Sequence, residues 1–164
     1  MVPRPISHRS DERIDLPGAI ARDRRILARR ERAVDPGDRA AAHASLADAL
    51  ERTAIASAVA EAHRHRLAAL VYMLEGSLGE PFNVLLAGYA TRFRRAAAAG
   101  GLLGVPRLTE VLADPAFAPL DDWLREHAAD VDGVQTAIDF YLEQARRIGT
   151  GQGLADPNGE TRFD

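Results

Sequence analysis

From Arg39 to Glu75 the chain runs 37 residues without a glycine or a proline. At 1.5 Å per residue an unbroken helix over that stretch would reach roughly 55 Å. Asp38 stands where an N-cap belongs and Gly76 where a left-handed C-terminal residue belongs. The apolar stripe does not keep one direction. At about 100° per residue, Leu46 and Leu50 point one way, while Val59, Leu67, Leu70 and Leu74 cluster at least a quarter-turn away. One long alanine-rich helix over about 39–75 is therefore expected, with a kink or a change of packing partner near Arg52–Ala56.

Helical signals flank this stretch on both sides. Pro17-Gly18 starts a first helix that runs to about Val34 and stops at the turn sequence 35–38. A third helix follows Pro81, with Phe82, Leu85, Leu86, Tyr89 and Phe93 on one face, and ends at Gly100-Gly101. Pro106 opens a short helix to about Ala113, residues 114–119 form a connector, and 120–129 a further short helix with Leu120, Trp123 and Leu124 inward. The spacing Asp132 to Gln135 suggests a capped start for a last helix, which carries Val134, Ile138, Tyr141, Ala145 and Ile148 on one face and closes at Gly149. No strand-like alternation persists and no internal repeat occurs. The expectation is an all-α bundle of five or six helices, as a single domain over 17–149. A flexible arm (1–16) and a flexible tail (150–164) flank it.

Composition narrows the chemistry. With 164 residues, one core is affordable. Aromatic residues make up only 5%, so alanine and leucine must fill that core. There is no cysteine, which excludes disulfides and thiolate chemistry. The longest uncharged windows, Pro81–Thr91 and Ala96–Pro106, fall far short of the roughly 20 residues that cross a bilayer. No transmembrane segment is expected, and a cytoplasmic location is.

All 21 basic residues are arginine, and they crowd toward one end. Residues 1–34 carry a net charge of +4, residues 35–105 balance, and residues 106–164 carry −7. On a helical wheel Arg22, Arg25, Arg29 and Arg32 form a stripe opposite Leu16, Ile20, Leu27 and Val34. Asp23 and Glu31 lie near the apolar edge. Three partners fit such a stripe: the phosphates of a nucleic acid, a membrane surface, or acidic protein such as Asp121, Asp122, Glu126 and Asp130 in the same or another subunit. The plain alternative is a solvated face.

Catalytic signatures are missing. His63 falls among Val59, Leu67 and Leu70, as a core histidine would; His65 lies on another face with Glu61 one turn before it, as in a weak ion pair. His127 continues the Trp123 stripe near a helix end, where a structural role suffices. No Glu-x-x-His occurs, unlike in carboxylate-bridged di-iron bundles, and no metal or cofactor is expected. No Gly-x-Ser-x-Gly occurs, and the glycines of 149–153 follow a helix instead of preceding one. The leading expectation is a non-catalytic protein–protein interaction or adaptor protein, self-associating through small residues such as Ala56 and Ala60. An alternative is a nucleic-acid-associated regulator using Arg22, Arg25, Arg29 and Arg32. A second alternative is a small helical enzyme or ligand-binding bundle with a pocket at His63, Tyr72, Tyr89 and Arg92.

Overall fold

The computed structural model describes residues 15–76, 80–100, 104–127 and 129–151. Seven α-helices span them, one or two more than expected: α1 (Leu16–Arg30), α2 (Pro36–Arg52), α3 (Ala56–Gly76), α4 (Glu80–Ala98), α5 (Leu108–Leu112), α6 (Ala118–Glu126) and α7 (Val131–Gly149). A 3-10 turn, Pro115–Phe117, joins α5 to α6, and no strand occurs among the described residues. Most of the expected arm and tail lie outside the described residues.

The 39–75 stretch is not one helix but an antiparallel hairpin, α2 and α3, folded at Thr53–Ile55. The Thr53 hydroxyl donates to the Leu50 carbonyl at 2.7 Å and accepts the Ile55 N–H at 3.1 Å, ending one helix and starting the next. Ala54 between them takes a left-handed backbone, φ 57°. For a residue with a Cβ that conformation costs about 1 kcal/mol, which the packing of the hairpin offsets. The other boundaries shift by a few residues. α1 ends at Arg30, so Val34 lies beyond it and is 92% exposed instead of completing the apolar side. The N-cap of α2 is Asp35, which accepts the Gly37 N–H at 3.0 Å; Asp38 falls in the first turn. Asp130 caps α7 through the N–H groups of Asp132 and Gly133, while Gln135 accepts the Leu108 N–H at 2.7 Å and so ties α5 to α7.

Two apolar clusters result. The larger joins Leu67, Leu70 and Val71 of α3 to Tyr89, Leu108, Phe117, Leu120, Leu124, Val134 and Ile138. Leu120, Trp123 and Leu124 point inward as expected, as do Val134, Ile138 and Ala145 of α7; Tyr141 is half-buried and Ile148 exposed. On α4, Tyr89 is buried and Leu85, Leu86 and Phe93 pack partly against the core; Phe82 lies outside the residues whose side chains are described. Gly149 closes α7 and also seats it on α4: a Cβ there would stand 2.4 Å from the Ala90 carbonyl oxygen. The smaller cluster, Leu46, Ala47, Leu50 and Ala62, receives Ile20 and Leu27 of α1. That apolar seam is narrow, and polar contacts hold the rest of α1 in place.

Candidate functional site

Folding α3 back on α2 brings His43 and His65 together. Their Nδ1 atoms lie 2.9 Å apart, and both rings are buried, at 1% and 5% exposure. Each ring meets a carboxylate on its far side. Glu31, just past the end of α1, makes an ion-pair contact with His43 Nε2, and Glu61, one turn before His65, lies 3.2 Å from His65 Nε2. The outer groups are held in turn. The Tyr72 hydroxyl donates to Glu31 at 2.7 Å, and Arg24 clamps Glu61 with two contacts of 2.6 and 3.0 Å. Phe117 covers the pair, its ring centre 4.8 Å from that of His65 and 6.0 Å from that of His43. A continuous chain Glu31–His43–His65–Glu61 therefore crosses the α1–α2–α3 corner.

The ring contacts assign the roles. A neutral His65 with its hydrogen on Nε2 toward Glu61 accepts at Nδ1, so His43 donates to it from Nδ1. His43 Nε2 stands at ion-pair distance from Glu31. The charged environment agrees: burial, then the neighbouring His43 charge, push the His65 imidazole down to about 4. Burial alone would push Glu31 up, but its contacts with His43 and Tyr72 and the charge of Arg39 hold it below the usual carboxylate range. Glu61 is lowered as well, first by the Arg24 hydrogen bond. Burial raises the Tyr72 hydroxyl, and the Glu31 charge adds to it.

Glu31, His65 and Glu61 stand in the wall of an open cavity of about 600 Å³. Arg24, Leu27 and Arg32 also line it, with Arg39 and Leu46 of α2 and Pro119, Asp122, Trp123 and Glu126 of α6. Arg39 donates from Nε to the Ala33 carbonyl at 2.7 Å, and its guanidinium carbon lies 4.6 Å over the Trp123 ring and 5.5 Å over the Tyr72 ring. Among the described residues no group of three or more His, Asp or Glu side chains is placed to hold a metal ion.

The residues singled out in the sequence do not form the groups expected of them. Tyr72 joins the histidine chain, whereas His63, Tyr89 and Arg92 gather around a second polar cluster on the other side of the hairpin. There Arg66, 3% exposed, reaches Asp48 at 2.5 Å and Glu51 at 2.6 Å, and Arg92 reaches the same two carboxylates at 3.4 and 3.3 Å. Buried atoms His63 Nδ1 and Tyr89 Oη have no hydrogen-bond partner beside it. Burial lowers the His63 imidazole and raises the Tyr89 hydroxyl. The two α3 histidines thus exchange their expected places: His65 is deep and His63 half-buried.

Of the arginine stripe, Arg22, Arg25 and Arg29 are exposed and make no ion pair among the described residues, while Arg32 lies at the cavity rim. Both acids of that segment turn inward: Asp23 is 8% exposed and Glu31 is locked to His43. The acidic residues are dispersed. Asp121 pairs with Arg125 at 2.9 Å, Asp130 caps α7, and Asp122 and Glu126 share the cavity wall with Arg32. His127 accepts a structural place, with Nδ1 2.8 Å from the Trp123 carbonyl. Sequence reasoning passed over His43 and Arg39. His43 had a signal, because it precedes Leu46 by three and Leu50 by seven, on the face that packs.

Comparison with known families, curated proteins and solved structures finds no match to this chain.

Proposed function

We propose that the protein binds a small molecule in the cavity between α1, α2, α3 and α6 and exchanges a proton with it through the Glu31–His43–His65–Glu61 chain. One observation carries this reading: two buried imidazoles in direct contact, each backed by a carboxylate, with three of the four groups in the wall of an open cavity. Packing alone favours apolar side chains at such positions, because desolvating titratable groups costs stability. Their clustering beside a cavity is the usual mark of a working site. Ligand screening by thermal shift at pH 5.5 and 7.5 tests it. Compounds should stabilise the wild type in a pH-dependent manner, and His65→Gln should remove the dependence. A screen without hits, together with a His65→Gln protein as stable as the wild type, contradicts it.

A second reading, protein binding with self-association, is supported by the start of α3, where Ile55 is 59% exposed and Ala56 and Ala60 are exposed beside it. Arg22, Arg25 and Arg29, exposed and without an ion pair among the described residues, would then select an acidic partner, protein or nucleic acid. Light scattering after size exclusion tests the first part, and a strictly monomeric species at high micromolar concentration ends it. A low-salt mobility shift tests the nucleic-acid part.

A further inference from the structure

We infer that a second copy of this chain docks antiparallel on the outer face shared by α2 and α4, about a two-fold axis that passes near Ser45 and Gly88. The inference rests on the self-association of the second reading above but assigns it to a different face from the start of α3.

α2 and α4 lie side by side and run the same way. Val84 and Leu85 line one hollow with Gly37, Ala41 and Ala44, and two turns further on Arg92 reaches Asp48. The hollow is about 270 Å³, and its lining holds no polar side chain. Beside it Val84 is 69% exposed, and Ala41, Ser45 and Ala87 also face solvent. Apart from the buried His43, no titratable or charged residue occurs from Ala40 to Ala47, nor, Tyr89 aside, from Pro81 to Thr91. Over a similar length α1 shows Arg22, Arg25 and Arg29 to water, as a solvated helix face ordinarily does.

Gly88 is the second reason. Glycine inside a helix costs stability relative to alanine, and Gly88 stands in the middle of α4. Its own fold does not demand it: a Cβ there would meet only the flexible tip of Arg92, at 3.1 Å. A glycine on an outward face lets another backbone come close.

Charge identifies the occupant. Asp38 and Arg52 each stand seven residues from Ser45, so both point within about 20° of its direction, roughly 10 Å to either side along α2. Both are exposed; Asp38 meets Arg30 only at 3.8 Å, and Arg52 makes no ion pair among the described residues. A face with opposite charges at equal distances from one point fits itself when turned over, which is the condition for a two-fold contact. Asp38 of each copy then faces Arg52 of the other, and the charge-free middle is buried between them.

Light scattering after size exclusion and sedimentation equilibrium read the association, with the wild type expected to form a dimer at high micromolar concentration. Gly88→Gln should weaken it roughly tenfold or more while leaving the helical circular dichroism intact. If that variant fails to fold, Ala41→Gln, at an exposed position, should act in the same way. Asp38→Arg or Arg52→Asp alone should weaken the dimer severalfold, and the two together should restore it. A dimer broken by Ile55→Ser but indifferent to Gly88→Gln and Ala41→Gln overturns the face assigned here and leaves self-association standing. Failure of the double exchange to restore the dimer overturns the two-fold docking. A monomer at every concentration overturns the inference together with the self-association reading.

Discussion

The α2–α3 hairpin carries a polar cluster on each of two sides, and they are built on opposite plans. On one side Arg66 and Arg92 share Asp48 and Glu51, two cations against two anions. On the other, two imidazoles in contact sit between Glu31 and Glu61, beside an open cavity. The first arrangement is complete without a ligand and serves to lock two helices. The second keeps titratable groups next to a space, which helix packing does not require. Titratable rings beside a cavity, more than burial, separate a site from a strut.

The largest effect should come from breaking the balanced side. Arg66→Met leaves Asp48 and Glu51 with only Arg92; losing one partner of a buried network costs about 3 kcal/mol at the low end, which applies here because water reaches Asp48. Urea denaturation measures it, and a cost below 1 kcal/mol would mean that the cluster is ornamental. The histidine side should respond to pH. His65 is held at about 4 in the folded protein against an ordinary value of 6.5. Between those values the unfolded chain binds the proton first, so stability is complete above pH 6.5 and declines as the pH falls toward 4. The loss amounts to about 3 kcal/mol at most. His65→Gln should flatten denaturation free energies across that window, while Arg66→Met should leave the slope intact. His63, also lowered by burial, adds a smaller contribution of the same sign.

Smaller effects are expected where α1 closes over the chain. The Arg24–Glu61 clamp has one member half-exposed, so Arg24→Gln should cost less than about 1 kcal/mol and matter less in high salt. The fold point should move in the opposite direction. Ala54→Gly relieves a left-handed alanine and should stabilise by about 0.5 kcal/mol, because the greater freedom of glycine when unfolded offsets part of the gain.

The helical character, the inward faces of α6 and α7 and the basic face of α1 were legible from periodicity. The turn of the apolar stripe marked a break near Arg52–Ala56, but not the full reversal of the chain there. Neither glycine nor proline marks residues 53–55; the break depends on a Thr53 side-chain cap and an alanine in an unfavoured backbone, and alanine otherwise argues for helix. That single fold decides the site. On a lone straight helix His63 falls on the apolar side. Once α3 doubles back, Ala62, His65, Ala69 and Tyr72 become the buried face, and His65 meets His43. Trp123 was read as inward and Arg39 was passed over, because their encounter joins residues 84 positions apart. The opposed charges of the two ends were visible, and the contribution of Arg32, Asp122 and Glu126 to one cavity wall required the fold.

Nitrogen chemical shifts of the imidazole rings at pH 7 test the central claim most directly. His65 should be neutral with its hydrogen on Nε2 and remain so to about pH 4. A His65 that titrates near 6.5, as a free histidine does, would contradict the account.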